Sequence, residues 1–320
     1  MAETNASGIG VAILGYGAIA DMHAVALRTA GARLLVVAGP KEGEAREFAA
    51  RHGVEGVVTD PLAAIQADGV EAVVIASPSP VHAPQAAAAL EAGRHALVEI
   101  PLALTEAAAE ALVAQATAVQ RTLMVCHTLR YWAPIGAARA AMAAAGWQPR
   151  NIVARGLSRR LENVGWTGRR RSWTDDLLWH HGGHIVDMVL QLLGQPVTEV
   201  TAEVGPIWDG SGLPMDYAIA LRTAEGAVAT IALSYNSRLG ASDYVLIGEP
   251  DTILIQGANV TSADGPILSG EDVATVQERA VLAQDLDFLE CVRSGRRPIA
   301  DAASILPAMR VLQAVQDRVR

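Results

Sequence analysis

The chain is nearly empty of lysine: among its 320 residues Lys41 is the only one, and arginine and histidine supply every other basic side chain. Cysteine is almost as scarce. Cys126 and Cys291 have no companions at a metal or redox spacing, which excludes a disulfide framework and suits a reducing compartment. Positive charge is also in deficit. A formal net charge of -9 argues against general binding to nucleic acid or membrane surfaces, both of which reward basic faces. No apolar run reaches the roughly 18 to 20 residues needed to cross a bilayer. No signal peptide precedes the first apolar segment, so a soluble, cytoplasmic protein is expected. Internal repeats and low-complexity linkers are missing too.

Apolar residues are plentiful. At 51% hydrophobic content the chain can bury one large core or two, and its length favours two domains. Up to about residue 127, apolar runs alternate with alanine-rich amphipathic segments, the pattern of βαβ units building a parallel sheet. Candidate strands are 9–14, 34–38, 72–75, 96–98 and 123–126. Helix ends are readable: Asp60 before Pro61 is an N-cap with proline at the first helical position, and Gly31, Gly53 and Gly93 stand where helices should stop. From 128 to 320 the texture changes. One helix over about 177–193 is closed by Gly194 and Pro196. Strands then follow near 197–204, 217–223, 227–235 and 244–247, read as a mainly antiparallel open sheet. The tail from Ala280 reads as two helices separated by Ser294-Gly295. The fold class is therefore α/β: an N-terminal Rossmann-type parallel sheet and a C-terminal α+β domain.

Two stretches carry chemistry. Gly15-Tyr16-Gly17-Ala18-Ile19-Ala20 follows the first strand and opens a helix, the setting a dinucleotide fingerprint requires. The first glycine permits the turn, the second lets a pyrophosphate approach the backbone, and Ala20 permits close helix packing. At the end of the second strand an acid would bond a ribose 2′-hydroxyl, but here Ala38-Gly39-Pro40-Lys41 stands, which favours NADP, with NAD as the alternative and Lys41 as the phosphate partner. Ser77, Pro78 and His82 follow another strand, and Glu99, Ile100 and Pro101 the next, at the carboxyl ends where such sheets bind ligands.

The second stretch runs from Arg171 to Asp187 and packs three histidines, three aspartates and an arginine around a helix start. On a regular helix His180, His184 and Asp187 share a face while His181 points elsewhere. The plain alternative is an amphipathic helix with a polar rim. The same spacing can bind zinc, but nothing nearby supplies the usual further Cys or His ligands, so no metal is expected. Upstream, Arg155, Arg159, Arg160, Arg169, Arg170 and Arg171 gather as a site for an anionic small molecule would require.

These motifs together resemble the Gfo/Idh/MocA oxidoreductase family over essentially the whole chain. Typical members carry Glu-Lys-Pro at the position of Glu99-Ile100-Pro101 and Asp-x-Gly-x-His at the position of His180 to His184. This chain departs from both, with Ile100 for the lysine and His180 for the aspartate. The resemblance is closer to one subgroup, the enzymes that oxidise 4-carboxy-2-hydroxymuconate-6-semialdehyde, which share Val98 to Leu102 and Arg171 to His181. It implies a hemiacetal substrate, whose hydroxyl is more acidic than an ordinary alcohol and asks less of its base, so that an imidazole suffices near neutral pH. His184 is the expected base and His180 the next candidate. The dicarboxylate substrate needs counter-charges, for which Arg130, Arg160 and Arg171 are expected, with Trp173 and Trp179 as walls and His127 and Asn236 near the pocket. The resemblance further implies that the C-terminal sheet forms an interface in a homodimer or homotetramer. A sugar or polyol dehydrogenase, or a non-catalytic dinucleotide sensor, are the alternatives.

Overall fold

The computed structural model describes residues 8–162 and 176–319, so Arg171 and Trp173 lie outside the described residues. The chain divides into two compact units that interleave along the sequence: the first gathers the chain up to Cys126 with Val281–Ser304, the second His127–Ala280 with Ile305–Arg320. From sequence the boundary falls at 127–128, with the C-terminal helices expected to pack back toward the first domain.

In the first unit the elements alternate strictly. They are β1 (Gly10–Leu14), α1 (Ala18–Thr29), β2 (Arg33–Ala38), α2 (Glu42–His52), β3 (Gly56–Val58), α3 (Pro61–Ile65), β4 (Ala72–Ile75), α4 (His82–Glu91), β5 (His95–Val98), α5 (Glu106–Ala118) and β6 (Leu123–Val125). The six strands form a parallel sheet in the order β3-β2-β1-β4-β5-β6. Its central strands are buried on both faces, as continuous Val/Ile/Ala runs in a helix-covered sheet must be. The order reverses direction between β1 and β4, and ligands of such sheets bind at the strand ends beside that switch. Local signals set the helix boundaries. Asp60 caps α3 by accepting from the Leu62 N–H at 3.0 Å, Pro61 fills its first position, and Gly53 ends α2 in the left-handed region. The short β3 was not among the strands expected from sequence, since three half-buried residues leave almost no periodic signal.

The second unit begins with α6 (Ala133–Ala145) and β7 (Asn151–Arg159). It continues through α7 (Gly183–Leu193), β8 (Val197–Val204), β9 (Ile207–Trp208), β10 (Leu213–Pro214), β11 (Asp216–Thr223), β12 (Val228–Ser234) and β13 (Asn236–Ile247). Strands β14 (Thr252–Gln256), β15 (Asn259–Ser262) and β16 (Gly265–Leu268) complete an eight-stranded sheet of order β16-β15-β14-β13-β7-β12-β11-β8. All its pairings are antiparallel except β12 with β7. The tail forms α8 (Val273–Ser294) and α9 (Leu306–Gln316). Along β11 and β12 buried and exposed residues alternate, so one face of the sheet packs and the other stays open. Helix α7 packs against β7, β12 and α9 and buries Ile185, Val186, Met188, Val189, Leu192 and Leu193. Each such burial contributes about 1.5–3 kcal/mol, enough to fix the helix that carries His184. Among the described residues no helix is long and apolar enough to cross a membrane.

Candidate active site

The candidate dinucleotide-binding residues belong to the first unit. At the end of β1, Gly15 has φ 108°, and a Cβ there would lie 2.4 Å from the Ala76 carbonyl oxygen, so only glycine fits this turn. Gly17 caps α1 with no side-chain hydrogen bond, and the space around a Cβ built there is open. Ala18 and Ile19 begin the helix itself. An open helix start is what a pyrophosphate needs, because the first N–H groups of a helix have no partner within it. At the end of β2 the ring of Tyr16 lies over Gly39 so closely that a Cβ on Gly39 would meet it at 2.0 Å. The Tyr16 hydroxyl accepts from the Lys41 N–H at 3.1 Å. The Lys41 ammonium is largely exposed and pairs with Glu44 at 3.0 Å. A recess beside β3, lined by Glu42, Val57, Val58, Thr59, Asp60 and Ala63, is edged by two acids.

Beyond β4 and β5 the expected residues turn out to hold the loops as well as line them. His82 is buried, with Nδ1 2.8 Å from the Pro101 carbonyl oxygen and Nε2 2.7 Å from that of Ser77, and so ties the Ser77-Pro78 loop to the Glu99-Ile100-Pro101 loop. The Ser77 hydroxyl donates to Gln85 at 2.5 Å. Glu99 reaches back to α1, where His23 Nε2 stands 3.0 Å from its Oε1, and His23 Nδ1 stands 2.9 Å from Asp285 of α8. Burial alone would strip the proton from His23, but Asp285 and Cys126 beside it hold its pKa well above the ordinary value. Burial pushes the Cys126 thiol well up, with the Glu99 charge adding to it.

The second unit, described by itself, holds two side-chain clusters. The first centres on Asp187, one helical turn beyond His184. Arg130 donates to it through Nε at 2.8 Å and Nη2 at 2.5 Å, and the side chains of both are 2% exposed. His127 Nδ1 is 3.4 Å from the same carboxylate, and its ring meets that of His184 edge to face at 5.8 Å. Burial would raise the Asp187 carboxyl, but His127, Arg130 and His184 hold it below the usual carboxylate range. Arg130 therefore serves as the bidentate partner of Asp187, rather than being held out toward a substrate carboxylate as expected from sequence.

The second cluster surrounds His180. Its Nδ1 lies 3.3 Å from Nη1 of Arg160 and 3.5 Å from the hydroxyl of Tyr235, while the Arg160 guanidinium sits 5.6 Å over the Tyr235 ring. His181 packs on both His180 and Tyr235, and burial together with the Arg160 charge pushes its pKa down to about 4. Residues Leu178–Gly182 form a π turn, in which the Gly182 N–H donates to the Leu177 carbonyl five residues back at 2.9 Å, before α7 begins. Single π turns of this kind recur at functional sites.

Other expected residues are placed elsewhere. The Asn236 amide donates to Asp216 at 2.6 Å, and the Ser234 hydroxyl binds the other oxygen of that carboxylate, which pins β12 and β13 to β11. The preceding residue, Tyr235, sits at the bend between β12 and β13 and lies in the histidine cluster, and sequence reasoning missed it by one position. Trp179 is buried, with its ring N–H donating to Gln316 of α9 at 3.1 Å, so it packs the core. Arg155 pairs with the buried Asp243 of β13 at 2.6 Å.

Comparison with known proteins agrees with this reading. The profile described as "Oxidoreductase family, NAD-binding Rossmann fold" matches residues 9–127, and that described as "Bacterial oxidoreductases, C-terminal" matches residues 141–266. The 4-carboxy-2-hydroxymuconate-6-semialdehyde dehydrogenase of Sphingobium sp. is 32% identical over 306 residues, covering 94% of this chain and 96% of the relative. The scyllo-inositol 2-dehydrogenase (NAD(+)) of Bacillus subtilis is 28% identical over 311 residues, covering 90% and 87%. Among solved structures, levoglucosan dehydrogenase in complex with NADH and levoglucosan superposes with a TM-score of 0.85 at 19% identity, covering 98% of this chain and 97% of that one, a likeness of fold. With a glycine turn built for a dinucleotide and a relative matched almost end to end, the chain belongs to the Gfo/Idh/MocA family and is a nicotinamide-dependent dehydrogenase.

Proposed function

We propose that this dehydrogenase oxidises 4-carboxy-2-hydroxymuconate-6-semialdehyde, as its cyclic hemiacetal, to the lactone 2-pyrone-4,6-dicarboxylate, with NADP preferred over NAD. The observation that carries the reading is the pair of departures at the motif positions, Ile100 and His180, within segments shared with that subgroup, together with the 32% identity to a relative bearing that name. A polyol carbinol requires a strong base, and the only lysine, Lys41, is at α2. A hemiacetal hydroxyl is acidic enough for imidazole.

When bound, the nicotinamide ring supplies the hydride acceptor. His184 takes the hemiacetal hydroxyl proton as the C–H hydride leaves, and the carbon becomes the lactone carbonyl. Asp187 steadies the positive charge that His184 gains, as a buried carboxylate does for a catalytic imidazole. Arg160 and His180 receive a substrate carboxylate, with Tyr235 holding both, and Arg171 is the proposed partner of the second. Preference for NADP rests on the lack of an acid at the end of β2 and on Lys41, whose ammonium must exchange Glu44 for the 2′-phosphate. The protein is further proposed to act as a cytoplasmic homo-oligomer.

The test is turnover. Purified protein with NADP or NAD and freshly made semialdehyde is followed by reduced nicotinamide absorbance and by the pyrone product. Rapid turnover favouring NADP is expected. Turnover of neutral polyols but not of the acidic semialdehyde would overturn the substrate, and turnover with NAD alone would overturn the cofactor preference.

A further inference from the structure

Beneath the Glu99-Ile100-Pro101 loop lies a cluster that the oxidation does not use. His23 of α1, Glu99 after β5 and Cys126 after β6 bring one imidazole nitrogen, one carboxylate oxygen and one sulfur within 4.8 Å of one another. We infer that these three side chains form a binding site for a single divalent transition-metal ion, zinc above all, with water as fourth ligand. The inference is independent of the substrate proposed above.

The distances already resemble the edges of a coordination tetrahedron. With metal–nitrogen and metal–oxygen bonds of about 2.0–2.2 Å and a zinc–sulfur bond of about 2.3 Å, the N···O and N···S edges come to roughly 3.4 and 3.6 Å. Here His23 Nε2 lies 3.0 Å from Glu99 Oε1 and 3.8 Å from Cys126 Sγ. Closing the third edge asks for side-chain movement of no more than about an ångström.

The surroundings are those of a metal-binding histidine. A ligating imidazole commonly donates its other ring nitrogen to a carboxylate, which fixes the tautomer and raises its basicity. Asp285, fully buried, already occupies that place, 2.9 Å from His23 Nδ1. His23 and Cys126 are fully buried, while the Glu99 side chain is 16% exposed and leaves a way in for ion and water. The mixed nitrogen, oxygen and sulfur donors suit a borderline cation better than magnesium or calcium.

A divalent ion takes the His23 Nε2 lone pair and the Cys126 thiolate, so any proton on either atom leaves to solvent as the ion enters. The ion then joins α1 to the ends of β5 and β6 and fixes the Glu99 carboxylate at the head of a motif whose usual lysine is missing.

The full-length protein, free of any affinity tag, is freed of metal with a chelator, offered one equivalent of Zn2+ or Co2+, and dialysed. Elemental analysis is expected to find one ion per chain, and the Co2+ form to show visible ligand-field bands of tetrahedral intensity with a near-ultraviolet thiolate-to-cobalt band. Cys126→Ser should abolish the thiolate band and His23→Gln should abolish stoichiometric retention, whereas His52→Gln at the exposed Asp21 pair should change neither. Failure to retain metal, a Co2+ spectrum without thiolate character, or a thiolate band that survives Cys126→Ser would overturn the inference. Should the variants fail to fold, the Co2+ spectrum of the unsubstituted protein decides alone.

Discussion

Replacing Asp187 by asparagine keeps the shape of the side chain and removes one charge from the most buried ion pair among the described residues of the second unit. Arg130 would then keep a buried guanidinium, its side chain 2% exposed, that has lost the Asp187 carboxylate. Breaking a buried pair from one side costs about 3–5 kcal/mol, because the remaining charge is neither hydrated nor neutralised. For a unit of this size each kcal/mol lowers the melting temperature by about 2–4 °C, so Asp187→Asn should melt about 6–20 °C below the parent. Pairing it with Arg130→Met, which removes the stranded charge and keeps an apolar stem, should recover part of the loss, with a coupling of roughly 0.5–3 kcal/mol. The pH dependence has a defined sign. The folded-state pKa of Asp187 is depressed, so its stabilisation is complete above the ordinary carboxylate range and is lost as the pH falls through the lower folded value. The gap between parent and variant should hold through neutral pH and shrink only below about pH 4. Calorimetry and urea unfolding of the four proteins of this cycle measure all of this. An Asp187→Asn variant within about 1 kcal/mol of the parent, as surface pairs give, would refute the account of Asp187 as the centre of the cluster.

His184→Ala should lose at least about a hundredfold in turnover, the scale of general base catalysis, while dinucleotide binding measured by calorimetry stays intact. His181→Gln should leave the acidic limb of the rate–pH profile where it is, because His181, with its pKa pushed down to about 4, is neutral across the working range. Gly39→Ala should weaken dinucleotide binding by driving its new methyl into the Tyr16 ring, and Tyr16→Ala in the same chain should restore part of it; equal affinity in parent and Gly39→Ala would contradict the close approach. Lys41→Ala should lower the ratio of NADP to NAD efficiency severalfold, as steady-state kinetics with both cofactors would show.

The first unit could be read from sequence because its signals are local. The Gly15 turn, the Asp60-Pro61 cap and the Gly53 stop act within a few residues, and a parallel strand buried on both sides announces itself as an unbroken apolar run. The second unit resisted for physical reasons. Strand β7 lies in the middle of its sheet yet carries Arg155 and Arg159 on exposed positions, so charge obscured its period. The π turn at Leu178–Gly182 carries no propensity signal of its own. The partners of Arg130 and Asn236 are side chains 57 and 20 residues away, and a single position at the bend between β12 and β13 separates Asn236, bound to Asp216, from Tyr235, beside His180. Composition can propose that an arginine will meet an anion; only the packed chain decides whether that anion is a substrate or an aspartate.

The interleaving of the units sets a timetable for synthesis. Strand β6 is an edge of the parallel sheet, and what covers that edge comes from the far end of the chain: the Val125 N–H donates to the Ala300 carbonyl at 3.0 Å and Met124 bridges Asp301. A ribosome adding about 5–20 residues per second reaches that cover roughly 10–35 s after β6 has emerged. During that interval the nascent sheet presents an open, apolar strand of the kind that recruits other chains. A fragment ending at residue 127 would hold that state permanently, which marks the segment around Ala300 as the piece to graft back when the dinucleotide-binding unit is wanted alone.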